Sequence, residues 1–310
     1  MKLALGFDGG GTKTECVLMD ESGAILARSH SGASNAVNVG AQASAAALAQ
    51  AGVEALHEAQ KPPTDVAYVL AGISGAGEPN VRAEIEADLK PNFPKSTIVI
   101  TSDLLLSLAA TGEIPSLVVI AGTGSAVLGR TSPLKLARAG GFGPIIGDPG
   151  SANDIGRKTT SLCFQKFLNG EKKFPLTELI LRSFECKWDQ FVDLVRDQPT
   201  VVFPKIFPIV AQAAESGDPS ARTLLMAAAK DLRDQVLEVL LQLELQNTSF
   251  FLAKTGGVFD GSPFLNAEFD HLAHEIAPSA RIGPLPRPVA ESAAQLACDA
   301  LTSPLQIPES

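Results

Sequence analysis

The chain of 310 residues is 45% apolar and 19% charged, which suits two domain-sized cores and excludes a disordered or fibrous protein. Twenty-five basic against 34 acidic residues give a formal net charge of -9 with no Lys/Arg cluster. That balance argues against a nucleic-acid or anionic-membrane partner and for a small polar ligand. No apolar run approaches the roughly 20 residues of a spanning helix. Met1-Lys2 leads directly into strand-like LALGF without a secretory h-region, so the expected location is the cytoplasm.

The first hundred residues alternate strand and helix signals. Strands are predicted over 3–8, 14–19 and 24–29, the last two separated by the turn Asp20-Glu21-Ser22-Gly23, and together they should form an antiparallel meander. An Ala-rich helix follows over about 42–58 and stops before Pro62-Pro63. Then come a strand over 66–70, a helix over 80–89, a strand over 97–101 and a helix over 104–110. The order is βββαβαβα.

A second version starts after Pro115, with strands over 117–121 and 125–130 flanking the turn Gly122-Thr123-Gly124, and a third strand near 134–139. Helices then dominate. Asp218-Pro219 places a proline at a helix start. Leu224, Leu225, Ala228, Leu232, Val236, Val239, Leu240 and Leu243 then form one apolar stripe of a long helix reaching about Leu245. A buried strand over 250–253, a helix over 263–275, a short strand over 280–282 and a closing helix over 289–301 complete the chain. The topology is duplicated, while the sequence carries no repeat of 20 to 50 residues. Residues 172–198, rich in mixed charge, read as an inserted helical element.

The segment Asp8-Gly9-Gly10-Gly11-Thr12-Lys13-Thr14 strips side chains from a turn and offers backbone N–H groups and hydroxyls to a phosphate. It matches neither a Walker A loop nor a dinucleotide fingerprint. Asp8, an acidic group beside that phosphate, is explained by Mg²⁺, a hard cation held through one or two carboxylates. Ile120-Ala121-Gly122-Thr123-Gly124-Ser125 is the counterpart in the second lobe. Thr255-Gly256-Gly257-Val258-Phe259 follows a buried strand, either as a tight strand-to-helix turn or as backbone laid against a nucleoside.

Asp103 follows the strand TIVITS and opens a helix, at the carboxyl end of a strand where α/β sheets place their ligands. It is read as the general base of a phosphoryl transfer, against the alternative of a plain N-cap. Asp148, in Gly147-Asp148-Pro149-Gly150, is read as a turn residue or as a hydrogen-bonding ligand for a bound hydroxyl. Asn35 offers a donor and an acceptor to a polar ligand group, or serves a turn. Phe142, in the GGFG loop, is an aromatic available to a ligand in a chain with one Trp and one Tyr.

The four cysteines, Cys16, Cys163, Cys186 and Cys298, lie far apart and form no C-x-x-C, which favours buried free thiols over disulfides or zinc. His271 and His274 lack the H-E-x-x-H spacing and fit an exposed helix face.

Strand-DGGGTKTE, SD opening a helix, AGTGS, GGFGPIIGDPGSA and TGGVF, in that order and nearly end to end, resemble the N-acetylglucosamine kinase branch of the BadF/BadG/BcrA/BcrD-type ATPases. The resemblance implies a two-lobed actin-like (ribonuclease H-like) α/β fold with ATP and sugar in an interlobe cleft. It implies lobes of 1–115, joined by the helix 289–303, and 116–288. ATP phosphates would then meet Gly10, Gly11, Thr12 and Lys13, with Mg²⁺ near Asp8. Gly122, Thr123 and Gly124 would contact ATP from the second lobe, and Gly256 and Gly257 its adenosine. The sugar would meet Asn35, Asp103, Gly141, Phe142 and Asp148.

The implied activity is transfer of the ATP γ-phosphate to the 6-hydroxyl of N-acetylglucosamine or glucosamine by a cytoplasmic homodimer. A muramic-type sugar is a further possibility. Phe142 stands where Trp is usual and Pro149 where an acidic residue is common, two departures that bear on sugar selectivity. The rival reading is an ATPase that activates an acyl-CoA dehydratase or reductase through an iron–sulfur cluster between subunits, which requires thiolates. A catalytically silent sugar sensor is disfavoured because Asp8, Thr12, Asp103 and Thr123 are all present.

Overall fold

The computed structural model describes residues 1–132, 135–171, 173–305 and 307. Two compact units are formed, Met1–Glu113 together with the residues from Leu285 onward, and Ile114–Pro284.

The first unit opens with β1 (Leu3–Gly9), β2 (Thr14–Asp20) and β3 (Ile25–Ser31), an antiparallel meander as the turn residues require. A single helical turn, α1 (Ala36–Val39), precedes α2 (Ala41–Glu58). β4 (Val66–Ile73), α3 (Pro79–Leu89), β5 (Thr97–Ser102) and α4 (Asp103–Ala110) follow. The sheet order is β3-β2-β1-β4-β5, with β1, β4 and β5 parallel.

Alternation along β1 sorts its side chains between two faces. Leu3, Leu5 and Phe7 join Leu48, Ala51, Leu56 and Phe93 in one core. The other face of β1 carries Ala4 and Gly6, and the chain's last helix lies against it. There a Cβ on Gly6 would fall 2.0 Å from the Ala294 nitrogen, so backbone rests on backbone.

The second unit repeats the plan. β6 (Ser116–Ala121), β7 (Ser125–Ser132) and β8 (Lys135–Gly140) form the second meander, and the Leu134 end of the predicted third strand lies outside the described residues. Five helices follow: α5 (Ala152–Leu168), α6 (Pro175–Ser183), α7 (Trp188–Asp197), α8 (Pro199–Glu215) and α9 (Pro219–Leu243). Next come β9 (Phe251–Thr255), α10 (Gly257–Gly261), α11 (Pro263–Ile276) and β10 (Arg281–Pro284), and the chain then returns to the first unit with α12 (Val289–Asp299). The order β10-β9-β6-β7-β8 is the first sheet's order again, strand for strand.

The Leu225-to-Leu243 stripe of α9 is buried as its period demands, over β7 and β8. Gly129 of β7 makes room for it, since a Cβ there would meet Val239 and Leu243 at 2.8 Å. Two helices, α6 and α7, occupy the inserted 172–198 segment, whose first residue lies outside the described set. Trp188 stacks on Phe167 of α5 at 4.3 Å between ring centroids. α8 holds Pro204 and Pro208 inside it, a local cost offset by burial of Val202, Ile206, Phe207 and Val210. His271 and His274 are exposed on α11. Among the described residues no helix is long and apolar enough to cross a membrane.

Candidate active site

In the first unit, parallel pairing aligns the carboxyl ends of three strands. Gly9 pairs with Ile73 and Ile73 with Ser102, so the turn after β1, the loop after β4 and the start of α4 share one sheet edge. The glycine turn is fixed from below by backbone bonds. The Ser34 and Asn35 N–H groups both donate to the Gly10 carbonyl, and Ser74 N–H donates to that of Gly9. Thr14 Oγ1 donates to Gly32 O and is hydrogen-bonded to Ser34 Oγ, each at 2.7 Å, and a Cβ on Gly9 would lie 2.4 Å from Ser34 Oγ. Gly11, Thr12 and Lys13 are exposed. One N–H expected to face a phosphate is already used: Gly10 donates to Lys13 O, closing the turn. Lys13 Nζ pairs with Glu15.

Asp8 is half-buried beside this turn. Burial, then the carboxylates of Asp103 and of its cross-strand neighbour Glu15, push its carboxyl up to about 7, against a smaller pull from Lys13. Two acidic groups at one sheet edge, one of them holding its proton against desolvation, form a donor set suited to a hard divalent cation. Asp103 is the first residue of α4 and not its cap. Ser102 caps, its Oγ accepting from Leu105 N–H at 3.1 Å, while Asp103 Oδ1 accepts its neighbour Leu104 N–H at 2.9 Å.

Asn35 is largely engaged by the fold. Its Oδ1 accepts from the Val37 and Asn38 N–H groups as cap of α1, and its Nδ2 donates to Ser74 Oγ. One amide N–H of Asn35 is left beyond those three bonds, so a sugar contact there is narrower than the sequence suggests.

In the second unit, β6 and β9 are parallel, which brings the turns after Ala121 and after Thr255 to one edge. Gly122 N–H donates to Gly124 O, and Ala152 and Asn153 at the start of α5 donate to Gly122 O and Thr123 O. Thr123 is exposed. Gly256 has φ +111° and a Cβ there would lie 2.4 Å from Ala121 O, so its lack of a side chain is a packing requirement. Gly257 is exposed with open space beside it, and it alone of the pair offers bare backbone to a ligand.

The loops after β8 converge on the same turn. Gly143 N–H donates to Asp148 Oδ1 at 3.1 Å, and Ser125 Oγ donates to Pro149 O at 2.8 Å. Burial pushes the Asp148 carboxyl up, against the Gly143 N–H and the Arg138 guanidinium. Arg138 Nε donates to Gly140 O at 3.1 Å, another arm of its guanidinium reaches Gly141 O, and its plane lies over the Phe142 ring at 5.2 Å. Phe142 is 64% exposed and free to meet a ligand. Gly150 N–H donates to Asp154, which is held by Lys158, itself paired with Asp231 of α9.

Sequence reasoning missed Ser34, Arg138, Lys254 and Gln235. Lys254 is a charged residue inside the buried run FLAKT, where its ammonium binds Asn266 Oδ1 at 2.7 Å and Asp270. Gln235 is a polar position in the apolar stripe of α9. Both breaks in pattern were visible signals.

Paired β-meander units with a glycine turn after the first strand of each define an actin-like ATPase fold. Residues 5–173, more than half of the chain, match the BadF/BadG/BcrA/BcrD ATPase family, and the protein belongs to it. The N-acetylmuramic acid/N-acetylglucosamine kinase of Clostridium acetobutylicum is 29% identical over 275 residues, covering 87% of this chain and 89% of that one. The N-acetyl-D-glucosamine kinase of Dictyostelium discoideum is 27% identical over 296 residues, covering 91% and 93%. A solved protein of Chromobacterium violaceum, described as a candidate N-acetylglucosamine kinase, shares the fold with a TM-score of 0.77 at 24% identity, covering 95% of this chain and 98% of that one.

Proposed function

We propose that the protein is an ATP-dependent amino-sugar kinase, a phosphotransferase that moves the γ-phosphoryl group of ATP to the 6-hydroxyl of N-acetylglucosamine or glucosamine. The observation that carries this reading is the placement of Asp8 and Asp103 at one sheet edge beside the DGGGTKT turn, in a chain of this ATPase family. The kinase relatives, which span nearly the full chain, support the amino-sugar class.

Phosphoryl transfer is mainly positioning and charge neutralisation. Asp103, held by its bond to Leu104 N–H, accepts the proton of the sugar hydroxyl as that oxygen bonds to the γ-phosphorus and the bond to the β–γ bridging oxygen breaks, releasing ADP. Gly11, Thr12 and Lys13 take phosphate oxygens, and Thr123 and Gly257 contact the nucleotide. Asp8 would hold Mg²⁺, directly or through water. Mg²⁺ supplies positive charge to the phosphate oxygens when bound. Asp148, Gly141 and Phe142 bind sugar, and Asn35 contributes its remaining N–H. The cytoplasmic location and the homodimer belong to the same proposal, supported by the sequence resemblance, and light scattering after size-exclusion chromatography tests the dimer.

The iron–sulfur reading is weaker on chemical grounds. Cys16, Cys163 and Cys298 are buried, and burial pushes their thiols up, away from the thiolate a cluster needs. The test is ADP release with Mg-ATP against glucosamine, N-acetylglucosamine, N-acetylmuramic acid, glucose and buffer. Dependence on an amino sugar is the expected result. Equal release in every well, with iron in the purified protein, overturns the kinase reading.

A further inference from the structure

Pro149 O receives two donors at 2.8 Å, Ser125 Oγ from the start of β7 and Gln235 Nε2 from α9. Gln235 is only 4% exposed, and its Oε1 has no hydrogen-bond partner among the described residues. That oxygen is aimed at Gly140: a Cβ there would fall 2.0 Å from it, at a residue whose φ is +69°. One amide therefore grips the carbonyl next to Asp148 with its nitrogen and abuts the glycine that opens the Gly141-Phe142 loop with its oxygen. The same face of α9 supports the rest of the loop. Leu232 lies under Gly150, with a Cβ there 2.6 Å from Leu232 Cγ, and Asp231 reaches it through Lys158 and Asp154.

Such a placement is costly if it serves stability alone. A buried acceptor without a partner is unfavourable, and a Leu or Met would fill the stripe of α9 without that penalty. We propose that Gln235 is a positioning residue, which sets segments 140–143 and 147–150 in register with each other and so orients Asp148 and Phe142. The link to sugar binding rests on the kinase reading above; the link to loop order does not.

The test uses the full chain and Gln235→Met, which keeps the bulk and removes both polar atoms. Amide hydrogen exchange comes first, without ligand. Exchange in 140–150 is expected to rise about tenfold while that of β9 stays unchanged, with a melting temperature close to that of the original protein. Ser125→Ala, which removes the other donor to Pro149 O, is expected to couple with it, so that the double variant exceeds the product of the two singles. Unchanged exchange in 140–150, or a uniform rise across the second unit, overturns the proposal. Kinetics then separate it from the kinase reading. The amino-sugar KM is expected to rise about tenfold with kcat and the ATP KM within twofold. A turnover-competent variant with unaltered sugar KM overturns the positioning role in binding, whereas loosened loops in a protein that phosphorylates no amino sugar leave Gln235 in place and remove the kinase.

Discussion

A Cβ on Gly124 would lie 2.5 Å from Asp148 Oδ2, so the bare backbone of the second glycine turn is what gives the Asp148 carboxyl its place. The turn assigned to ATP and the acid assigned to the sugar are thus in direct contact. Gly124→Ala must push the carboxyl away or move the turn, and an ångström of misplacement can cost about 100-fold in rate. We expect kcat/KM for the sugar to fall by about 10- to 100-fold, with far-ultraviolet circular dichroism unchanged. Near-normal sugar kinetics in this variant would remove Asp148 from the site.

Asp103→Asn is expected to lower turnover by about 10²- to 10⁴-fold while nucleotide binding persists, since only the proton acceptor is lost. Ser102→Ala gives the contrast. It removes the true cap of α4 and should cost about 1 kcal/mol of stability with most activity retained. Steady-state kinetics and thermal melts of the two variants, side by side, separate the base from the cap.

Asp8 predicts a pH dependence of stability. Its ordinary value is 3.8 and its folded value about 7. Below about 4 both states hold the proton. Between about 4 and 7 the folded protein binds a proton that the unfolded chain has released, so metal-free stability falls as pH rises through that window. The loss is at most about 4 kcal/mol, and less for a carboxyl that water still reaches. Melts in EDTA at pH 5 and pH 8 should show this step, and Mg²⁺ should recover part of it at pH 8. Asp8→Asn should abolish the step, melt higher than the original protein in EDTA at pH 8, and lose activity.

Gly6→Ala is expected to destabilise the first unit by about 3 kcal/mol or more, because the new methyl would sit 2.0 Å from the Ala294 nitrogen and 2.5 Å from the Ala290 carbonyl. Gly77→Ala, where the space is open, is the control. Calorimetric melting reports both.

The parts of this fold that depend on near neighbours in sequence were readable. The meander turn at Asp20, the proline start of α9 and the strand–turn–strand around 122–124 are local events, and their signals are local. What escaped was set by backbone angles at short caps or by partners far along the chain. Ser102 rather than Asp103 as the cap depended on backbone angles, and Gly256 was explained only by the carbonyl of Ala121, 135 positions earlier by number. Asn35 looked like a ligand because the helical turn it caps is four residues long and carries no periodicity of its own. Gln235 was legible as an oddity in a stripe but not as the bond it makes to Pro149.

The return of α12 to β1 has a consequence for how the chain is assembled. The second unit is one continuous stretch, 114–284, and needs nothing made before or after it to complete its sheet. In the first unit β1 is synthesised well before α12, yet the face of β1 that carries Ala4 and Gly6 lacks its helical cover until residues 289–299 exist. Within this unit synthesis order and completion order are therefore opposite: its earliest strand is finished last, and Gly6 waits with its backbone open for Ala290 and Ala294.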